Sequence, residues 1–288
     1  MSAPGESMNA RTSPPRQVIR HVPHKPRGGP IARLMSPHDL GEILKPFVFL
    51  DLFDIPPQLV NQMPLHPHSG IATVTVVFDG ALAFSERTGQ HGQLTYGGVE
   101  WMRAGSGVWH GDELCGIAGT RNIRGFQLWV ALPPALEDSA PQAQYLRAES
   151  MPRVGPAYVI LGQLGATQSP VQVPSGISYL LVTLGAGEPW THRPPDGHAT
   201  AWMAVGSGQL KCGSIAGPGD LVIFERRDGP IELESIGREP AVFVIGTAAP
   251  HPYELVMGAY SIHTNEASLL VAERNLERLR PRSFRGSQ

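Results

Sequence analysis

Cysteine is almost absent from this chain, and its scarcity excludes two kinds of small scaffold. Only Cys115 and Cys212 occur in 288 residues, far apart and outside any CxxC pattern. A disulfide framework needs several paired cysteines, and a thiolate zinc site usually needs two to four. The sequence therefore fits a protein of the reducing cytoplasm, which is its predicted location.

An excess of one charge and a long apolar run are missing as well. Twenty-three basic and 25 acidic residues give a formal net charge of -2, so no global positive field could hold nucleic acid. No run of about 18 apolar residues could span a bilayer, and the opening residues MSAPGESMNARTSPPR contain no apolar signal segment. These absences predict a soluble, unexported protein that binds neither nucleic acid nor membranes.

Glycine and proline are abundant instead, with 33 and 28 residues spread along the chain. Glycine and proline distributed in this way favour many short strands joined by tight turns, and therefore an all-β protein. The clearest strand is ATVTVVF, from Ala72 to Phe78, which alternates Thr with Val and ends in the turn pair Asp79-Gly80. Further strands are predicted at residues 18–21, 31–35, 46–53, 82–86, 99–103, 108–110, 126–132, 158–161, 179–184, 199–205, 221–225, 231–235 and 241–246.

The order of these segments predicts two related barrels in tandem. A strand followed by a glycine turn ends at Gly80 in the first half and at Gly206 in the second. A closing helix is predicted after Asn265, a good N-cap, because apolar residues recur at helical spacing as far as Leu279. The predicted divisions are a disordered tail (1–16), a first barrel (17–132), a proline-bearing linker (133–143), a second barrel with the helix (144–281) and a frayed tail (282–288).

Histidines and one carboxylate form the most informative pattern. Side chains two apart in a strand project to the same face, so His66 and His68 could converge on one ion, as could His110 and Asp112. Two such strands side by side would bring four groups together. Mixed imidazole and carboxylate sets suit iron, manganese or zinc. A single His-x-His also occurs by chance, and the second triplet is what favours a metal site.

A second cluster of the same kind is disfavoured. His192 and His198 could in principle meet Glu232 and Glu234, but Pro194 stands where the second histidine of a facing pair would be. The alternation in the segment IELES is typical of a half-exposed strand. Aromatic residues such as Phe126 and Trp129 are interpreted as core rather than as substrate contacts.

Three blocks of the first half closely resemble one family in order, spacing and character: HPHSGIATVTVVFDG, GGVEWMRAGSGVWHGDE and GFQLWVALP. The family is the pirins, two-domain members of the cupin superfamily. GDLVIFE and MGAYSIHTNE resemble the family's second barrel and closing segment, so the resemblance runs from about residue 16 to residue 280. It implies two cupin-type jelly-roll barrels, and a monomer.

The resemblance also implies a single divalent metal ion, held in the first barrel by three histidines and a glutamate. Iron(II) is the expected metal, and manganese, nickel, copper and zinc also suit such ligands. The histidines fall on His66, His68 and His110, and the glutamate position falls on Asp112. Glu113 is ranked behind Asp112 because continued strand alternation would turn it away. Ala72 is a second departure, since pirins carry a glutamate there.

Some pirin-like proteins are quercetin 2,3-dioxygenases, so the resemblance implies a flavonol or other small aromatic substrate, O2 and release of carbon monoxide. Asp112 is the candidate general base for the flavonol hydroxyl, besides its ligand role. Two alternatives stay open. One is a non-catalytic, metal-dependent regulator that binds transcription factors or metabolic enzymes, and the other is a barrel that holds no metal.

Overall fold

The computed structural model describes residues 13–24, 29–86 and 89–281, and antiparallel β-strands are the predominant secondary structure of these residues. The predicted all-β class with a C-terminal helix is confirmed. No helix in this described part of the chain is long and apolar enough to cross a membrane. The predicted tail at 282–288 and most of the tail at 1–16 lie outside the described residues.

The first half contains twelve strands among its described residues. They are β1 (Val18–Val22), β2 (Ile31–Met35), β3 (Phe47–Ile55), β4 (His66–His68), β5 (Ile71–Asp79), β6 (Leu82–Ser85), β7 (His91–Leu94), β8 (Val99–Arg103), β9 (Val108–His110), β10 (Leu114–Gly116), β11 (Ile123–Ala131) and β12 (Gln142–Leu146). Short helices interrupt them: a π-helical turn (Pro37–Gly41), α1 (Glu42–Leu44), α2 (Pro57–Val60), α3 (Pro134–Glu137) and a 3-10 turn (Ala148–Ser150).

The second half adds fourteen strands and the closing helix. They are β13 (Arg153–Val154), β14 (Ala157–Leu161), β15 (Gln163–Leu164), β16 (Thr167–Gln168), β17 (Ile177–Leu184), β18 (Pro189–His192), β19 (Thr200–Ser207), β20 (Leu210–Lys211), β21 (Ile215–Ala216), β22 (Leu221–Phe224), β23 (Ile231–Ser235), β24 (Ala241–Ala248), β25 (Val256–Met257), β26 (Ile262–His263) and α4 (Glu266–Leu279).

Each half pairs one large sheet with smaller ones. The first large sheet has the order β12-β8-β5-β11-β3-β2, and β10-β6-β7 lies across its inner face, where Phe53 and Val77 pack against Leu82 and Phe84. The second has the order β1-β22-β19-β24-β17-β14-β13 and packs in the same way against β18-β23-β20-β21. The two halves therefore share one barrel-like design, as predicted.

The strands do not follow the predicted division of the chain at two places. Strand β1 pairs with β22 in the second sheet, although it precedes the whole first half in sequence. Strand β12, which starts inside the predicted linker, pairs with β8 in the first sheet. Arg16, within the predicted tail, is buried, and its guanidinium donates to the carbonyl oxygens of His198 and Gly229. The two halves are thus joined at both ends rather than by one linker.

The outer faces of the two large sheets pack together into a shared core. In β5, Val74 and Val76 face this core, while the alternate residues face the barrel interior. Trp202 of the second sheet lies edge-on to Phe47 of the first, with ring centroids 5.4 Å apart. A fully buried side chain of this size stabilises the fold by about 1.5–3 kcal/mol, so this interface joins the halves into one unit.

Helix α4 closes the structure as predicted. The Asn265 side chain accepts a hydrogen bond from the Ser268 backbone N–H at 2.9 Å, which satisfies one of the unpaired donors of the first turn. Leu276 and Ala272 are buried. The Trp109 indole N–H donates to the Leu276 carbonyl oxygen at 2.9 Å, so the helix is fixed to β9, the strand that carries His110.

Candidate metal centre and its cavity

Three histidines converge because two short strands pair in register. His66 of β4 lies opposite His110 of β9, and His68 projects to the same side two residues further along β4. The ring centroids are 4.4 Å apart for His66 and His110, and 5.2 Å for His68 and His110. One ligand nitrogen from each ring lies within 4.8 Å of the others. The structure therefore brings together the three histidines that the sequence singled out.

Backbone carbonyls orient two of the three rings. His66 Nδ1 lies 2.9 Å from the Pro64 carbonyl oxygen, and His68 Nδ1 lies 2.9 Å from the Tyr260 carbonyl oxygen. A carbonyl oxygen only accepts, so each Nδ1 carries a proton, and Nε2 is the ring nitrogen left to face an ion. Hydrogen bonds of this kind fix the tautomer of metal-binding histidines.

The lone pairs of the two inner rings have no competing partner. The Nε2 atoms of His68 and His110 are buried and make no hydrogen bond among the described residues. Burial lowers the pKa of His68 to about 4 and that of His110 to about 2, so both rings are neutral at physiological pH. Neutral imidazoles with free, convergent lone pairs are the form that binds a transition metal. These residues fit a metal ion.

A cavity of about 80 Å³ opens beside the histidines, inside the first barrel. A cavity of this volume holds several water molecules. The side chains on its apolar walls are Ile31, Phe53, Ile55, Val60, Met63, Leu82 and Leu114. The polar side chains are Asp51, His66, Thr75, Glu100, His110, Glu113 and Gln127. Apolar walls with a few placed polar groups are typical of small-molecule sites.

Glu100 is the polar residue of this cavity that sequence reasoning missed. Its carboxylate is buried, and it accepts hydrogen bonds from the Thr75 hydroxyl at 2.7 Å and the Tyr145 hydroxyl at 3.3 Å. Burial raises the pKa of Glu100, and the bond from Thr75 opposes that shift. A charged residue between Val99 and Trp101 in a buried strand was the signal available in the sequence.

Comparison with known proteins identifies the family. The family model for pirin matches residues 30–130. A protein of Pseudomonas aeruginosa named "Putative quercetin 2,3-dioxygenase" is 33% identical over 223 residues, which cover 72% of this chain and 77% of that protein. This chain belongs to the pirin family.

Solved structures show the same fold as this pirin. A quercetin 2,3-dioxygenase from Acinetobacter baumannii superposes with a TM-score of 0.78 at 23% identity, and the match covers 92% of this chain and 98% of that one. The bacterial pirin YhhW from Escherichia coli, in complex with nickel(II), gives 0.57 at 17% identity over 82% and 98% of the two chains. The predicted arrangement of two cupin-type barrels is confirmed.

The structure places Asp112 outside the histidine group of this pirin. Strand β9 ends at His110, and Gly111 adopts a φ of 132°, so the alternation that would turn Asp112 towards the histidines stops one residue too early. The Asp112 side chain is exposed and does not line the cavity. Glu113 does line it, and its carboxylate accepts a hydrogen bond from the Gly111 N–H at 2.9 Å. The ligand role of Asp112 stays a prediction.

Ala72 has no contact with the site. It packs with Val74 and Val76 in the core shared by the two halves, whereas Thr75 of the same strand lines the cavity. The residue is therefore a feature of the interface between the barrels. Strand alternation alone could have separated the two faces of β5.

The closing segment of the chain supports β4 from outside. Besides the Tyr260 carbonyl on His68, the Ser69 hydroxyl donates to the Ser261 hydroxyl at 2.8 Å, and Ser69 Oγ lies 3.0 Å from His263 Nε2. All three polar side chains are buried. Residues about 190 positions after β4 in the sequence therefore hold this histidine-bearing strand in place. No local pattern in the sequence could indicate this contact.

The second barrel lacks a comparable cluster among its described residues. His192 is buried, with neither ring nitrogen hydrogen-bonded, and it lies opposite Ile231 rather than another histidine. His198 Nδ1 lies 3.1 Å from the Thr247 hydroxyl. Glu232 is exposed and alternates with buried apolar residues along β23. The one group of three metal-binding side chains found in the described chain lies in the first barrel.

Proposed function

We propose that this pirin is a metal-dependent dioxygenase that cleaves flavonols in the manner of quercetin 2,3-dioxygenase. One flavonol and one O2 would give one ring-opened ester and one carbon monoxide, so no external reductant is needed. The observation that carries the proposal is a convergent group of three imidazoles, two of which have an unpartnered Nε2 atom among the described residues, at a partly apolar cavity lined by His66 and His110. The names of the Pseudomonas and Acinetobacter proteins support it.

His66, His68 and His110 would hold the ion. A bound ion would act as a Lewis acid that favours deprotonation of the flavonol hydroxyl and activates the flavonol towards dioxygen. Iron(II) is the first candidate, and the nickel complex of the Escherichia coli pirin makes nickel the second. Manganese, copper and zinc suit the same ligands. The apolar walls would exclude water. Met63 lines the cavity and is 43% exposed, and its movement would admit a molecule larger than the present cavity.

A carboxylate from the bend after β9 would complete the ligand set and accept the flavonol hydroxyl proton. Asp112 is the candidate by sequence, and Glu113 is the candidate by position, because it lines the cavity. Asp112→Asn and Glu113→Gln variants, loaded with iron, separate them. The variant that loses metal or turnover identifies the residue. Full turnover and full metal content in Asp112→Asn would refute the Asp112 roles.

Oxygen consumption tests the proposal directly. Protein purified anaerobically and loaded with iron(II) or nickel(II) is mixed with quercetin, and dissolved O2 and released carbon monoxide are measured together. The proposal expects equal amounts of each per flavonol consumed, and neither in a His66→Ala, His68→Ala double variant. Absence of uptake across a broad panel of phenols, with the metal bound, would contradict it.

That negative result would favour a second function, a metal-dependent regulatory protein that binds a transcription factor or a metabolic enzyme. One observation points that way. Only histidines form the metal-binding group in the described chain, so no carboxylate offsets the charge of the ion within that group. Absence of any metal after gentle purification and reloading would instead support a barrel without metal.

A further inference from the structure

A row of polar side chains crosses the inner face of the first large sheet from one edge to the other. Each member is paired in register with the next, one from each of the six strands. In spatial order the row is Arg33, Asp51, Gln127, Thr75, Glu100 and Tyr145. The four central members line the cavity that also contains His66 and His110.

Most of the row is linked by hydrogen bonds. Arg33 pairs with the Asp51 carboxylate, and its NH2 group donates to Asp51 Oδ2 at 3.2 Å. At the other end, Thr75 and Tyr145 donate to the Glu100 carboxylate. Glu100 is 3% exposed, so an acidic group is buried deep in the barrel interior. Such burial costs free energy unless the group is well paired.

Two members of the row retain hydrogen-bonding capacity towards the cavity. Each carboxylate oxygen of Glu100 can accept more than the single bond that it receives, and the bond from Tyr145 is long at 3.3 Å. The Gln127 amide lines the cavity and makes no side-chain hydrogen bond among the described residues. An unsubstituted aromatic ring would leave these groups unsatisfied, whereas hydroxyl groups on the ring would pair with them.

We propose that Glu100 and Gln127 form a subsite for the hydroxyl groups that the flavonol carries away from the metal, and so select polyhydroxylated aromatic substrates. The inference rests on the proposed function. Ring hydroxyls would donate to the Glu100 carboxylate, and the Gln127 amide would donate to or accept from a neighbouring hydroxyl. A site that hydrogen-bonds a substrate hydroxyl discriminates strongly against the analogue that lacks it.

Anaerobic binding measures the selection without turnover. Metal-loaded protein is titrated with quercetin, which has five hydroxyl groups, and with 3-hydroxyflavone, which has only the hydroxyl next to the ketone. Glu100→Gln keeps the shape and can still accept from Thr75. A lost hydrogen bond to a charged acceptor weakens quercetin binding by about 10-fold, and we expect less than about 2-fold for 3-hydroxyflavone.

A second variant and a matched control guard against a folding defect. Gln127→Leu removes an amide that has no side-chain hydrogen bond in the described part of the chain, so we expect normal folding and the same selective loss of quercetin binding. Thr73→Val is the control, because Thr73 is buried on the same strand as Thr75 but its hydroxyl has no hydrogen-bond partner among the described residues, and it does not line the cavity. It should leave both affinities unchanged.

Two results would overturn the subsite. Equal weakening for both flavonols in Glu100→Gln and Gln127→Leu would show a structural role, and unchanged affinities would show that neither residue meets the substrate. Failure of the unaltered metal-loaded protein to bind either flavonol would instead contradict the proposed function itself, and the subsite with it.

Discussion

The two barrels have the same design, but their interiors differ. A row across the first large sheet is polar, from Arg33 to Tyr145, whereas a row across the middle of the second is entirely apolar and buried. In spatial order the second row is Val222, Met203, Ile245, Leu180 and Val159. The first interior contains a cavity, and the second is filled by interlocking side chains.

The difference shows how one fold separates stability from function. Apolar side chains on facing sheets interdigitate to the density of an organic crystal and leave little space. A polar row cannot pack in this way without losing its hydrogen bonds, so it preserves an opening at a cost in stability. The second barrel is therefore densely packed, and the first carries the candidate site.

The two barrels also differ in how their histidines are paired. In the first barrel the register of β4 and β9 places His66 opposite His110. In the second barrel β18 pairs with β23, and His192 lies opposite Ile231. Equivalent architecture thus yields a histidine group that fits a metal ion in one half, whereas His192 in the other half faces no second histidine, because the partner strand carries a different residue.

The largest expected effect is the loss of metal from the first barrel alone. A His66→Ala, His68→Ala double variant should bind the ion at least about 100-fold more weakly, since loss of even an outer-shell partner costs about 10- to 100-fold. Metal content by mass spectrometry after equilibration with iron(II) or nickel(II) measures it. A His192→Leu variant is the matched control in the second barrel and should keep the ion.

The next effect concerns the core that joins the barrels. Trp202→Ala should lower the free energy of unfolding by about 3–5 kcal/mol, because it empties a buried site against Phe47 and Tyr179. Both halves should unfold in one transition, seen by chemical denaturation with two probes. Ile215→Ala, 61% exposed, should change stability by less than about 0.5 kcal/mol. Separate transitions for the two halves would contradict the shared core.

We expect the buried His192 side chain to lower the stability of the second barrel. Burial, with smaller contributions from the nearby Arg16 and His198, lowers the pKa of His192 to about 3. Below its unfolded value of about 6.5 the unfolded state binds more protons, so stability falls as the pH falls from about 6.5 towards 3. His192→Leu should add about 1–2 kcal/mol at pH 7 and flatten this acid slope. A loss of stability would mean that the imidazole has a partner.

The smallest effect is at the closing helix. Asn265→Ala removes the hydrogen bond to the Ser268 N–H and should cost about 1 kcal/mol. Asn265→Asp, which keeps an accepting oxygen, should cost much less. Thermal unfolding of the two variants provides the comparison, and equal losses would show that the cap does not act through this bond.

Local patterns predicted much of this structure from sequence. Strand alternation identified β5, capping and helical spacing identified α4, and the i, i+2 pattern with paired strands identified the three histidines. What local patterns did not indicate depended on non-local pairing or on the point where a strand ends. The exchange of β1 into the second sheet, the support of β4 by Tyr260, and the position of Asp112 beyond Gly111 are set by tertiary contacts and one backbone angle.

Anomalous X-ray scattering from crystals of the metal-loaded protein tests the central claim most directly. The account predicts one peak per chain, within bonding distance of the Nε2 atoms of His66, His68 and His110, and no peak in the second barrel. A peak beside His192 or His198, or no peak in the first barrel after loading with iron(II) or nickel(II), would contradict it.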